Sequence, residues 1–227
     1  MMSSAAHAFQ LMLPGNTNVP AMTNSILQAT RELRSNMHDA SATFNPIHIF
    51  HTEESLRSLS ASGLPWRDVL GRYNISVSSL VHHVTKLEEP SVERFRDLVY
   101  QLRTVVDPLQ NAQYYVDLTG GVSSLKAILA VFAYVLDIEH VYSLEVAFSE
   151  DAGERRRQLS MFLPDLEQTG VTISYRRFPP VRDFDAFGKM NYTEVIRHRD
   201  VVEGATRDLG DLLPRHVDLG FLTLIRK

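Results

Sequence analysis

The sequence predicts an α/β protein, a mostly parallel sheet of about six strands with helices on its flanks. Two observations carry this expectation. Short apolar segments at 7–13, 46–51, 79–87, 112–118, 140–147 and 170–178 alternate with segments of helical spacing. The stretch 114–126, YYVDLTGGVSSLK, also passes from a strand through a glycine turn directly into an apolar helix. A parallel βα unit needs a junction of that kind.

Taken in order, residues 7–13 (HAFQLML) form a first strand that ends at Pro14-Gly15 and enters the loop Asn16-Thr17-Asn18. Residues 19–36 place Val19, Met22, Ile26, Ala29 and Leu33 near helical spacing. PIHIFH at 46–51 is a second strand, and a helix follows over 53–60 with Thr52 as its N-cap. Gly63, Pro65 and Gly71 break the next segment into loop with a short helix at 66–73. A third strand is expected at 79–87. The segment 90–106 reads as a helix, with Pro90 at its start and Val92, Phe95, Leu98, Val99, Leu102 and Val105 on one face. A central strand at 112–118, a buried helix at 122–136, a strand at 140–147, a helix at 155–166 and a strand at 170–178 complete the alternation. Beyond it, 179–192 is irregular, 196–213 reads as an amphipathic helix and 217–225 as a last strand. The expected organisation is a main domain over 1–180 and a helix–strand extension over 181–227 that packs on it or on a dimer partner.

The composition narrows the function classes. A net charge of −4 argues against a broad electrostatic grip on long nucleic acid. The absence of cysteine removes disulfides, thiolate zinc sites and cysteine nucleophiles, and fits a reducing cytoplasm. The N-terminus, MMSSAAHAFQLMLPG, lacks the basic start and long apolar region of a signal peptide. The longest apolar run, 125–136, falls short of the roughly 20 residues that cross a bilayer. A soluble cytoplasmic protein without a membrane span is expected.

The glycine junction has two readings. Gly120 and Gly121 serve any tight βα turn, and the hydroxyls beside them serve as helix caps. Alternatively, the carboxyl end of a strand and the first turn of the next helix make a place for an anion. Glycine then lets backbone approach a phosphate, and Thr119, Ser123 and Ser124 donate hydrogen bonds. The spacing is that of neither a Walker loop nor a dinucleotide G-x-G-x-x-G turn.

The stretch VDLTGGVSSLKAILAVFAYVLDIEHVYSLEV resembles the central strand–turn–helix–strand of CARF domains, the Rossmann-like sensors of cyclic oligoadenylates in type III CRISPR defence. That family carries Asp-x-Thr-Gly-Gly-Thr-Lys at this turn. Here Asp117-Leu118-Thr119-Gly120-Gly121 agrees, and Val122-Ser123 stands where the family has Thr-Lys. LMLPGNTNVPAMTNSI is similar, more weakly, to the family's first ligand loop. The order of elements agrees over roughly 7–178, while the last 50 or so residues have no counterpart.

The resemblance implies a homodimer that holds one cyclic oligoadenylate, the tetramer foremost, across its two-fold axis. It implies Asn16, Thr17 and Asn18 at the ribose or phosphate, and Thr119, Gly120, Gly121, Ser123 and Ser124 at the phosphates. Asp117 would brace the turn, since carboxylate and phosphate repel. No fused effector is expected. Arg31 and His38 share the Arg-x4–6-His spacing of HEPN ribonucleases, but the pair is read as accidental among nine histidines. A ring nuclease or a sensor acting on a separate effector fits a lone sensor domain. Ring nucleases of this fold are similar in using neither metal nor cofactor. Lys189, in FGKMNY, and Thr17 are the catalytic candidates, with Arg176 or Arg177 as alternatives to Lys189. A different Rossmann-like enzyme of ordinary nucleotides stays open.

Other groups carry less. His82 and His83 are neighbours on a strand and face opposite ways, and His48 and His51 stand three apart, so no structural zinc is expected. Arg155-Arg156-Arg157 reads as a solvated helix start, Arg197-His198-Arg199 as the head of the tail helix, and Trp66 as a core anchor. No Gly-x-Ser-x-Gly elbow is present.

Overall fold

The computed structural model describes residues 8–63, 65–84, 101–102, 105, 112–135 and 138–178. One six-stranded sheet runs in the order β3-β2-β1-β4-β5-β6. Its strands are β1 (Ala8–Pro14), β2 (Ile47–His51), β3 (Leu80–Val84), β4 (Ala112–Asp117), β5 (His140–Ala147) and β6 (Thr172–Arg177). All neighbours are parallel except β5 and β6, which are antiparallel. The chain builds leftward from β1 through β2 to β3, then returns to β4 beside β1 and builds rightward. The order therefore reverses between β1 and β4, where α/β folds open a crevice at the strand ends.

Strand parity divides the core. Leu11, Leu13, Ile47, Ile49, Tyr115 and Tyr142 face one side with Met22, Ile26, Leu27 and Leu33 of α1 (Val19–Met37). Met12, Phe50 and Val116 face the other, with Leu125, Ile128, Leu129 and Phe132 of α4 (Ser123–Val135). Leu102 and Val105 join this second cluster. β1 is buried on both faces through Leu11, Met12 and Leu13, with Gln10 buried beside them.

The Thr52 cap and the Trp66 anchor are the expected ones, and α1 adds its own. Asn18 caps α1 by accepting from the Ala21 N–H at 3.1 Å, and Pro20 sits in the first turn, where its missing N–H costs nothing. Thr52 caps α2 (Glu53–Ala61) by accepting from Ser55 N–H at 3.2 Å. Trp66 is buried on α3 (Pro65–Arg72). Thr23, Ser25 and Thr30 are buried on α1 because each hydroxyl donates to the carbonyl four residues back.

One expectation is corrected. The single helix over 155–166 is two, α5 (Ala152–Leu159) and α6 (Leu163–Gln168). Pro164 has no N–H to continue the first helix. The backbone between them is instead held by Asn24 of α1, which donates to the Met161 carbonyl at 3.1 Å and accepts from Leu163 N–H at 2.6 Å. The extension over 181–227, most of the helix over 90–106, and Lys189, Arg197, His198 and Arg199 lie outside the described residues.

Among the described residues no helix is long and apolar enough to cross a membrane.

Candidate functional site

Two loops meet where the strand order reverses. The first leaves β1 at Pro14. Gly15 donates its N–H to the Phe50 carbonyl at 2.6 Å, which ties the loop to the end of β2. The backbone passes so near β2 that a Cβ on Gly15 would overlap the His51 ring and sit 2.9 Å from Ser55 Oγ. Asn16 Oδ1 accepts from Asn18 N–H at 2.9 Å and folds the loop on itself. Asn18 caps α1 with its oxygen, and its amide nitrogen donates to the Leu159 carbonyl at 2.9 Å. Thr17 stands exposed between them.

The second loop leaves β4 at Asp117. Asp117 is fully buried, with Oδ1 accepting from Thr119 N–H at 2.7 Å and Oδ2 from the Tyr175 hydroxyl at 2.8 Å. Burial pushes its carboxyl above the ordinary range, against the pull of those hydrogen bonds. The Tyr175 hydroxyl is raised well above its usual value, first by burial and then by Asp117. Thr119 Oγ1 accepts from Leu144 N–H at 2.6 Å, pinning the turn to β5.

Gly120 and Gly121 both have φ of +68°, a conformation that side-chain-bearing residues rarely adopt. They also touch the first loop. A Cβ on Gly121 would lie 2.6 Å from Pro14 Cβ and 3.1 Å from the Gly15 carbonyl. A Cβ on Gly120 would overlap the Asn16 amide. The glycines are thus required both by turn geometry and by packing of one loop on the other. Ser123 is exposed at the start of α4, and Ser124 follows it there.

The structure brings Asn16 together with Gly120 and Gly121, and places Thr17, Asn18, Thr119, Ser123 and Ser124 on the same two loops or the helix starts after them. Asn18 and Thr119 spend side-chain atoms on caps and braces. Lys126 is half-buried in the first turns of α4. Arg176 is paired with Glu145 at 3.0 Å, and Arg177 donates to the Glu139 carbonyl at 3.2 Å. Of the HEPN-like pair, Arg31 binds Glu167 and the Tyr73 hydroxyl, and His38 is the αL C-cap of α1.

Strand register supplies what sequence reading missed. His48 Nδ1 lies 3.0 Å from His83 Nε2 on one face, and His51 Nε2 lies 2.9 Å from His82 Nδ1 on the other. His51 Nδ1 also meets Ser55 Oγ at 3.1 Å, beside Gly15. Burial, then the neighbouring histidines, lowers both His48 and His51 to about 4, so both rings are neutral near pH 7. Among the described residues no three His, Asp or Glu side chains converge as a metal site would require. A cavity of about 370 Å³ also opens beside the first loop, where Thr17 and Asn18 meet α2 and α5.

No family model and no curated protein matches the chain. Among solved structures it is similar to Csm6 of Enterococcus italicus bound to cyclic hexa-2′-fluoro-hexa-dAMP, with a TM-score of 0.48 and 13% sequence identity. The match covers 97% of this chain and 54% of that one, so the chain spans about half the length of that protein.

Proposed function

We propose that the chain is a CARF-type sensor that binds a cyclic oligoadenylate, foremost the ring of four, across the two-fold axis of a homodimer. The observation that carries this reading is the packing of the Gly120-Gly121 turn on Asn16 and Gly15 at the reversal of strand order. The glycine turn lies against a loop of amides and a hydroxyl, Asn16, Thr17 and Asn18. That arrangement suits a phosphodiester better than an apolar ligand. The Asp-x-Thr-Gly-Gly resemblance of residues 117–121 supports the same reading, and Asp117 acts as a brace rather than a ligand. A two-fold dimer would present these groups twice to a ring that is itself symmetric. The setting proposed is type III CRISPR antiviral signalling in the cytoplasm.

Cleavage is the finer reading. A ribose 2′-hydroxyl would give up its proton and attack the adjacent 3′-phosphate, the 5′-oxygen of the next nucleotide would leave and take up a proton, and two such cuts on opposite sides of a ring of four would give two linear di-adenylates, each ending in a 2′,3′-cyclic phosphate. Thr17 and Lys189 would align and stabilise that step. Incubation with labelled cyclic tetra- and hexa-adenylate in EDTA tests both levels. Binding with that product supports a ring nuclease, and Lys189→Ala should then abolish turnover. Binding with the ring intact supports a sensor for a separate effector. No binding of either ring overturns the proposal.

A further inference from the structure

The two loops carry amides and hydroxyls but no lysine or arginine at 15–18 or 118–122. A phosphodiester drawn out of water needs more than neutral donors. A cation stands in the cavity beside the first loop. Arg156 of α5 lines it together with Thr17, Val19, Ser58, Leu159 and Ser160. Two other arginines are committed elsewhere: Arg157 binds Glu154 through two nitrogens at 2.9 and 2.8 Å, and Arg31 is held by Glu167. Arg156 makes no ion pair with a described residue.

The rest of the wall suits the other half of a nucleotide. Leu159 is 39% exposed, an unusual degree for a leucine, and lies in the same cavity as Val19. The wall is also anchored, since Asn18 holds the Leu159 carbonyl while capping α1. The space, about 370 Å³, is an open depression at the surface rather than an enclosed cavity. We infer that this depression is a subsite for one nucleoside-phosphate unit of the ligand, with Arg156 on the phosphate and Leu159 and Val19 against the base. The inference rests on the proposed function and adds to it a binding residue on α5, far in sequence from both loops.

The test is binding of labelled cyclic tetra-adenylate by the full chain and by Arg156→Gln, Arg156→Lys and Arg155→Gln. Both positions carry exposed side chains. Loss of a charge-assisted contact should weaken binding by Arg156→Gln roughly tenfold to a hundredfold. Arg156→Lys should recover part of it, and Arg155→Gln should stay within about twofold of the parent. If the parent binds and Arg156→Gln binds equally well, the subsite is overturned and the sensor reading stands. If Arg155→Gln and Arg156→Gln lose equally, the effect is diffuse helix charge and the subsite is again overturned. If the parent does not bind, both readings fall.

Discussion

The two glycines of the turn make different demands, and substituting each by alanine separates them. Both carry φ of +68°, and an L-residue there costs roughly 1–2 kcal/mol. At Gly121 the new methyl meets Pro14 Cβ at 2.6 Å and the Gly15 carbonyl at 3.1 Å, a rigid ring and a backbone atom. Neither can swing away, so overpacking adds about 1–3 kcal/mol. At Gly120 the obstacle is the Asn16 amide, the end of a side chain that can rotate. Rotation forfeits its hydrogen bond to Asn18 N–H, about 0.5–1.5 kcal/mol. Gly121→Ala should therefore lose about 2–5 kcal/mol in urea denaturation, and Gly120→Ala less. The sharper measurement is a double-mutant cycle. Asn16→Ala should relieve part of the Gly120→Ala loss and none of the Gly121→Ala loss. Equal relief in both, or a Gly121→Ala variant as stable as the parent, would refute the packing of the turn on the first loop.

Two further predictions concern the frame around the site. His48 and His51 are neutral when folded, with values near 4 against an ordinary 6.5, so the unfolded chain binds more protons between those values and stability falls as pH drops through that window. At pH 5 the loss is about 2 kcal/mol per histidine as an upper bound; urea midpoints at pH 7 and pH 5 measure it, and a flat profile contradicts it. Tyr175→Phe keeps the ring stacked on Tyr142, 4.8 Å between centroids, but removes a donor to a fully buried carboxylate. It should lose about 1–3 kcal/mol in the same assay, and a neutral result would remove the Tyr175 hydroxyl as a support of Asp117.

The parts of the fold legible in sequence are those whose signals are local. Thr52 announces a helix start because a cap acts over three residues. The paired glycines announce the turn because few residues accept its dihedrals. The alternation of strands and helices gave a mostly parallel sheet, and only β6 runs the other way. The split of α5 from α6 was harder, since Pro164 is also at home in the first turn of a helix. What decides it is Asn24, which bonds the intervening backbone from 137 and 139 residues away.

The same distinction holds among the candidate residues. Thr17 and Gly120 sit in loops that advertise themselves by composition, and Ser123 opens the helix after the glycine turn. Arg156 sits in a run of three arginines, and nothing local marks it as the one that lines a cavity. Helical spacing alone puts Arg157 one turn from Glu154; the place of Arg156 depends on how α5 lies against α1, through the Asn18 amide and the Leu159 carbonyl. The histidines make the same point in a sheet. Parity correctly sends His82 and His83 to opposite faces, yet their partners follow from the register of β2 on β3, Ile49 opposite His82 and Phe50 opposite His83. The pairs are diagonal in that register, since His48 lies opposite Val81 and His51 opposite Val84. Chemistry that lies within one loop can thus be read from the chain, whereas chemistry assembled by register or helix docking has to be read from the fold.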